Sequence, residues 1–359
     1  MFRNVRIDSL NYTALSYVWG RNQTSRLLKE NEKILEQQGS LADFGLLKTL
    51  VDSIALTRAL DIDFIWIDVL CILQDDPDDI SLQIGNVGRI YSNAKFTIIA
   101  SGMDADAGLP GFRPGTRTFQ QEEVEVIPSS AESPGLSLIT TCKRQRTHWE
   151  ETAQWTQEEI DSCKWNTRGW TLQERVLSKR SLMFAQDQVY WVCDGGIFCE
   201  ESHFEHPEED FLTSFMDTPL RFEFFPVGPL STLAMKSLDG PLTSYTNTSK
   251  LVWKKYASLV RDHSRRDLTN PGDIYGSFRA ISDAFSKLNN DNFHWGHPRS
   301  RFESSLSWRS GYSSVGLRRR LKPTTLKMTS LHEHVVLPSW SWMGWVGPVD
   351  FSVTDEKLE

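Results

Sequence analysis

Asp68 closes an apolar run of strand length, residues 64–67, and follows directly on Trp66 and Ile67. A carboxylate emerging from the end of a buried strand can act as a general base or orient a sugar hydroxyl; it can equally be a structural acceptor for the loop that follows. A second acid, Glu174, stands three residues after Thr171. That spacing matches a capping box, in which threonine and glutamate satisfy the first amides of a helix. Arg168 lies at the same predicted helix start, where free amides favour anions, so it can hold a phosphate there or pair with Asp68.

Other candidates read more plainly. Cys71 has no histidine near it in sequence and reads as a small buried side chain. Cys193, Cys199, His203 and His206 are spaced C-x5-C-x3-H-x2-H, which fits no standard zinc finger, and their acidic surroundings predict a solvated loop. Asp75, Asp76, Asp78 and Asp79 precede a predicted helix whose N-terminus favours negative charge. The glycines of residues 102–115 match no phosphate loop. No metal site is expected.

These side chains need elements to position them. Residues 12–17 (YTALSY) form a β-type run closed by Trp19 and Gly20. Leu47, Leu50, Val51 and Ile54 recur at helical spacing and lead to the strand at 64–67. Ile80, Ile84, Val87 and Tyr91 mark a second helix over 79–93, and residues 95–100 (KFTIIA) a third strand. The order β-α-β-α-β predicts an α/β fold, a doubly wound, mainly parallel sheet with flanking helices, because parallel neighbours need crossover connections. In such sheets ligands sit outside the carboxyl ends of the strands, where strand order reverses. Ser16, Tyr17, Gly20, Asp68 and Ser101 are therefore expected to line a pocket.

Further along, residues 118–160 are polar and irregular, with hairpin-like 123–127 and 136–140. Residues 165–177 read as helix, and 182–193 as a hairpin turning at Gln186, Asp187 and Gln188. One domain is expected over 1–205 and a helix-rich region over 206–359. In the latter Leu251, Val252, Tyr256, Leu259 and Val260 share one helix face, and Asn270 with Pro271 caps a helix carrying Ile274, Phe278, Ile281 and Phe285. The closing stretch 337–347 (LPSWSWMGWVG) has three tryptophans, expected to plug a groove and pack back on the first domain.

Composition narrows the function classes. The formal charge of −8 and scattered cations, apart from the run Arg318, Arg319, Arg320, argue against nucleic acid. Five thinly spread cysteines predict reduced thiols and a cytoplasmic location. No stretch approaches the roughly 18 apolar residues of a membrane span.

Four blocks in this order, YTALSYVWG (12–20), WIDVLCILQDD (66–76) with RIYSNA (89–94), RGWTLQE (168–174) and PSWSWMGWVG (338–347), resemble the fungal heterokaryon-incompatibility (HET) domain family. The resemblance implies a cytosolic module that triggers non-self recognition and programmed cell death by acting with protein partners of an incompatibility or immune pathway, self-association included. HET domains are also similar to TIR domains, which implies a TIR/flavodoxin-like core. On that more distant likeness Arg168 to Glu174 is similar to the TIR stretch that holds a tryptophan and a catalytic glutamate. Glu174 and Asp68 then become the candidate catalytic carboxylates, with Arg168, Trp170, Ser16, Tyr17 and Gly20 as binding residues. No bound cofactor is implied; NAD would be a substrate, its N-glycosidic bond cleaved as a carboxylate stabilises an oxocarbenium ion and arginine grips the pyrophosphate. The alternatives are a pure scaffold and a degenerate member that keeps only the fold.

Overall fold

The computed structural model describes residues 10–20, 25–117, 122–128, 135–139, 160, 162–193, 196–200, 245–311, 316–320, 324–328 and 331–351. In chain order the elements around the site are β1 (Tyr12–Ser16), α1 (Lys48–Ala59), β2 (Phe64–Trp66), α2 (Pro77–Asn93), β3 (Phe96–Ala100), α3 (Gly169–Leu177), β4 (Arg180–Phe184), β5 (Val189–Cys193) and β6 (Gly196–Cys199). They build one six-stranded sheet in the order β2-β1-β3-β4-β5-β6. The first three pairings are parallel and the last two antiparallel, so the sheet is mixed.

Alternation along the strands explains the two layers. Leu15 and Tyr17 of the first strand and its extension, with Phe96, Ile98 and Ala100 of β3, pack against Leu50 and Leu56 of α1. Tyr12 and Ala14 point the other way, against Val87, Ile90 and Tyr91 of α2. With a side-chain period of two, each parallel strand thus carries two apolar faces, and crossover helices cover both. Val51, read as part of the buried face of α1, is exposed, and Leu56 takes that place. α2 begins as its sequence dictates: Asp76 caps the Asp78 amide (3.1 Å) and Pro77 occupies the first turn, which accounts for the acidic cluster.

The hairpin expected at Gln186 to Gln188 is the β4–β5 pair. The expected boundary between residues 205 and 206 lies outside the described residues. Beyond it, α4 (Tyr245–Ser264) and α5 (Gly276–Asn289) are joined by four two-stranded ribbons among the described residues of 293–351. No described helix is long and apolar enough to cross a membrane.

A second core joins the two halves. Leu172 and Val176 of α3 share one buried cluster with Tyr256 and Val260 of α4, Phe278 and Phe285 of α5, and Trp342, Met343 and Phe351 of the C-terminal block. Of the three closing tryptophans Trp342 is the plug: it is fully buried, edge-on to Phe278 at 5.2 Å, with its indole N–H on Gly296 O at 3.0 Å. Trp340 is exposed and Trp345 half-buried. Trp342→Ala should therefore cost about 3–5 kcal/mol in urea-monitored unfolding, whereas Trp340→Ala should stay within about 0.5 kcal/mol of the parent protein. Equal effects from the two substitutions would contradict this packing.

Candidate functional site

The end of β1 meets two acids. Ser16, at an even position of the strand, faces the α2 and α3 side of the sheet and donates its hydroxyl to Glu174 Oε2 at 2.5 Å. The Trp165 indole donates in turn to Ser16 Oγ at 2.7 Å, so the serine hydroxyl is held between a fixed donor and the carboxylate. Three residues on, Trp19 donates its indole N–H to Asp68 Oδ2 at 2.7 Å, while the other oxygen of Asp68 accepts from the Val69 amide, also at 2.7 Å. One short segment, Ser16 to Trp19, thus supplies a donor to each carboxylate.

Tyrosines and an arginine complete the cluster. The buried Tyr17 hydroxyl lies beside Asp68 without reaching full hydrogen-bond geometry. Tyr91 of α2 donates to Leu15 O at 3.0 Å and lies beside Glu174. Arg168 stands within electrostatic reach of Tyr17, Asp68 and Glu174 together and makes no ion pair with either acid.

These surroundings set the protonation states. Burial pushes the Glu174 carboxyl up to about 7; the neighbouring Asp68 adds to the rise, and Ser16, Arg168 and Tyr91 oppose it. Burial also raises Asp68, against the pull of Trp19, the Val69 amide, Tyr17 and Arg168. Tyr17 is held far above the ordinary phenol range, by burial first and Asp68 second. Both acids nonetheless keep part of their surface open. A carboxyl surrounded by protein, partly reachable and poised near neutrality can accept or give a proton at physiological pH, the combination general acid–base chemistry needs.

The competing structural reading of Glu174 does not hold. α3 starts at Gly169, two residues before Thr171, with Arg168 at its N-cap position. The Thr171 hydroxyl donates to the carbonyls of Trp165 and Arg168 (2.8 Å each), so it caps no amide, and the Glu174 side chain goes to Ser16. The expected capping box is absent. The helix is instead positioned from both ends. Ser178 donates to Glu174 O at 2.6 Å and lies 2.5 Å from Thr97 of β3, while Gly169 N donates to Asp267 O at 2.8 Å. A Cβ on Gly169 would stand 2.5 Å from Leu268 Cδ2, so a larger residue there would displace that side chain.

The remaining sequence candidates fall as follows. Gly20 has φ +77°, and a Cβ there would lie 2.5 Å from Asp104 Cβ, so it lets the loop after β3 cross the end of β1. Trp170 points away from the cluster: its indole N–H is 3.3 Å from Asp273 Oδ2 and its ring packs over Gly276. Ser101 turns to Phe184 O. Cys71 contributes its sulfur to the Ile67 amide at 3.5 Å. Among the described residues no three metal-binding side chains cluster, and His203 and His206 lie outside those residues. Sequence reasoning missed Trp19, Tyr91 and Trp165 as partners of the acids; Trp19 stood within the first block, and Tyr91 was visible only as an apolar helix position.

In a comparison with known families, the model described as "Heterokaryon incompatibility protein (HET)" fits residues 12–174, from the first residue of β1 to the carboxylate just described. No curated protein and no solved structure matches the chain.

Because the folded-state carboxyl of Glu174 is raised above its ordinary value of 4.5, the folded protein binds the extra proton between about pH 4.5 and 7. Its contribution is thus most favourable below pH 4.5, declines as pH rises to about 7, and is constant above that. Glu174→Gln should accordingly gain stability relative to the parent as pH is raised from 5 to 8, by at most on the order of 3 kcal/mol. Melting curves of both proteins at the two pH values test this; a difference independent of pH would contradict the assignment.

Proposed function

Residues 12–174 form a HET domain, and from that premise we propose that the protein triggers a fungal non-self response leading to cell death, acting with protein partners, and that its rim cluster cleaves the N-glycosidic bond of an NAD-type dinucleotide. The observation that carries the second part is Glu174 itself: half-buried, raised to about 7, free of any capping role, and grouped with Asp68 and Arg168 at the end of β1. The strand order β2-β1-β3-β4, with crossover helices on both faces, supports a TIR/flavodoxin-like reading of the core, since that order reverses between β1 and β3 and the cluster lies at their carboxyl ends.

In this reading the ionised Glu174 faces the ribose as the bond between its anomeric carbon and the nicotinamide nitrogen breaks. The bonding pair leaves with the nicotinamide ring and neutralises its charge. The carboxylate stabilises the oxocarbenium ion left behind, held in place by Ser16 and Trp165. Water then adds to the anomeric carbon and its proton passes to Asp68 and on to solvent, giving nicotinamide, ADP-ribose and one proton. Arg168 offers positive charge to the pyrophosphate.

Purified protein at high concentration should consume NAD, with Glu174→Gln slowing turnover by about 100-fold or more. Absence of turnover by the parent protein, or equal turnover by the variant, would sink the enzymatic reading. Toxicity on expression that survives Glu174→Gln would then assign the function to association alone.

A further inference from the structure

We propose a second ligand site: the cavity of about 410 Å3 between the end of α4 and the C-terminal block binds a small phosphate-bearing anion. Its volume lies in the range of small-molecule sites. It is lined by His263 and Arg266, by the run Arg318, Arg319, Arg320, and by Trp345. The run that stood out as the one concentrated block of positive charge in an acidic chain is thus gathered on one wall of a cavity.

Arg319 and Arg320 are fixed by backbone carbonyls. Arg320 donates to the carbonyls of Met343 (3.2 Å), Pro271 (2.7 Å) and Trp345 (3.1 Å), one from each guanidinium nitrogen. Arg319 holds Gly344 O at 2.5 Å and Leu337 O, and its guanidinium stands 5.7 Å from the Trp345 ring centre. Five N–H groups per guanidinium leave each of them donors to offer. Arg318 is exposed, and among the described residues none of the three is paired with a carboxylate. On the opposite wall Arg266 is paired with Asp262 at 2.9 Å; Asp267, also lining the cavity, turns outward, with its carboxylate largely exposed.

An orphaned buried group points to a ligand independently. His263 is 1 % exposed, and its Nδ1 has no hydrogen-bond partner among the described residues. Burial, with Arg266 and Arg320 nearby, lowers the imidazole to about 3, so the ring is neutral. Its Nε2 lies 3.0 Å from the Ser277 hydroxyl, whose one proton also has Ile274 O within reach at 3.3 Å. A buried ring nitrogen without a partner is costly, and a partly protonated phosphate seated among the arginines, with acceptor oxygens and a P–OH, supplies one in either tautomer. The wall that would hold this anion also touches the first site: Arg266 donates to Arg168 O (3.3 Å), Thr171 Oγ1 (3.2 Å) and Asn166 Oδ1 (2.7 Å) at the start of α3.

Calorimetric titration of the full chain with inorganic pyrophosphate at constant ionic strength tests the proposal. One equivalent should bind, Arg318→Glu should weaken binding about tenfold or more at unchanged melting temperature, and Arg168→Gln should leave it unchanged. No binding, equal binding by Arg318→Glu, or loss of binding in Arg168→Gln would each overturn it, the last by moving the anion to the end of β1.

Discussion

Glu174 is a carboxylate taken out of water, and the local structure is arranged around that penalty. Its partial compensation comes from one hydroxyl, Ser16, which is itself held by the indole of Trp165. A buried charge with a single strong donor and a second acid nearby settles by shifting its protonation equilibrium, which is why Glu174 rests near neutrality. Removing the serine would take away the donor that favours the ionised form, and removing Asp68 would take away the charge that opposes it. The cluster therefore depends on the end of β1 lying where the helical turn after β2 and the middle of α3 both reach it.

That placement follows from the sheet and from the second core. Parallel pairing of β1 with β2 and β3 brings their carboxyl ends to one rim, so Trp19 and Asp68, far apart in sequence, meet there. α3 then belongs to both halves. Its Glu174 faces the strand, its Leu172 and Val176 enter the cluster with α4, α5 and Trp342, and its first turn is tied to Asp267 and Arg266.

The elements of the first hundred residues were legible because their signals are local. Apolar runs of strand length and faces at helical spacing mark β1 to β3, α1 and α2, and Asp76 with Pro77 marks a helix start by its own chemistry. The convergence of Asp68, Arg168 and Glu174 was an expectation that only tertiary structure decides. Thr171 and Glu174 misled because their spacing satisfies two geometries; the helix begins three residues earlier than a capping box requires, and both side chains turn elsewhere. The indoles of Trp19 and Trp165 read as apolar mass in sequence, while in the fold their N–H groups set the acids. Trp170 sits closest to Glu174 in sequence of the tryptophans, yet lies on the outer side of α3 against Gly276. Three of the four C-terminal ribbons escaped because strands of two or three residues are too short to show alternation.

The site depends most directly on the protonation of one side chain, Glu174. Carboxyl-selective carbon-13 NMR of glutamate-labelled protein, with the Glu174 resonance assigned by its disappearance in Glu174→Gln, follows that group through the pH range. A midpoint near 7, moving down when Asp68 is replaced by asparagine, is the predicted result. A midpoint near the ordinary 4.5, unmoved by that replacement, would show a solvated surface acid and contradict the site.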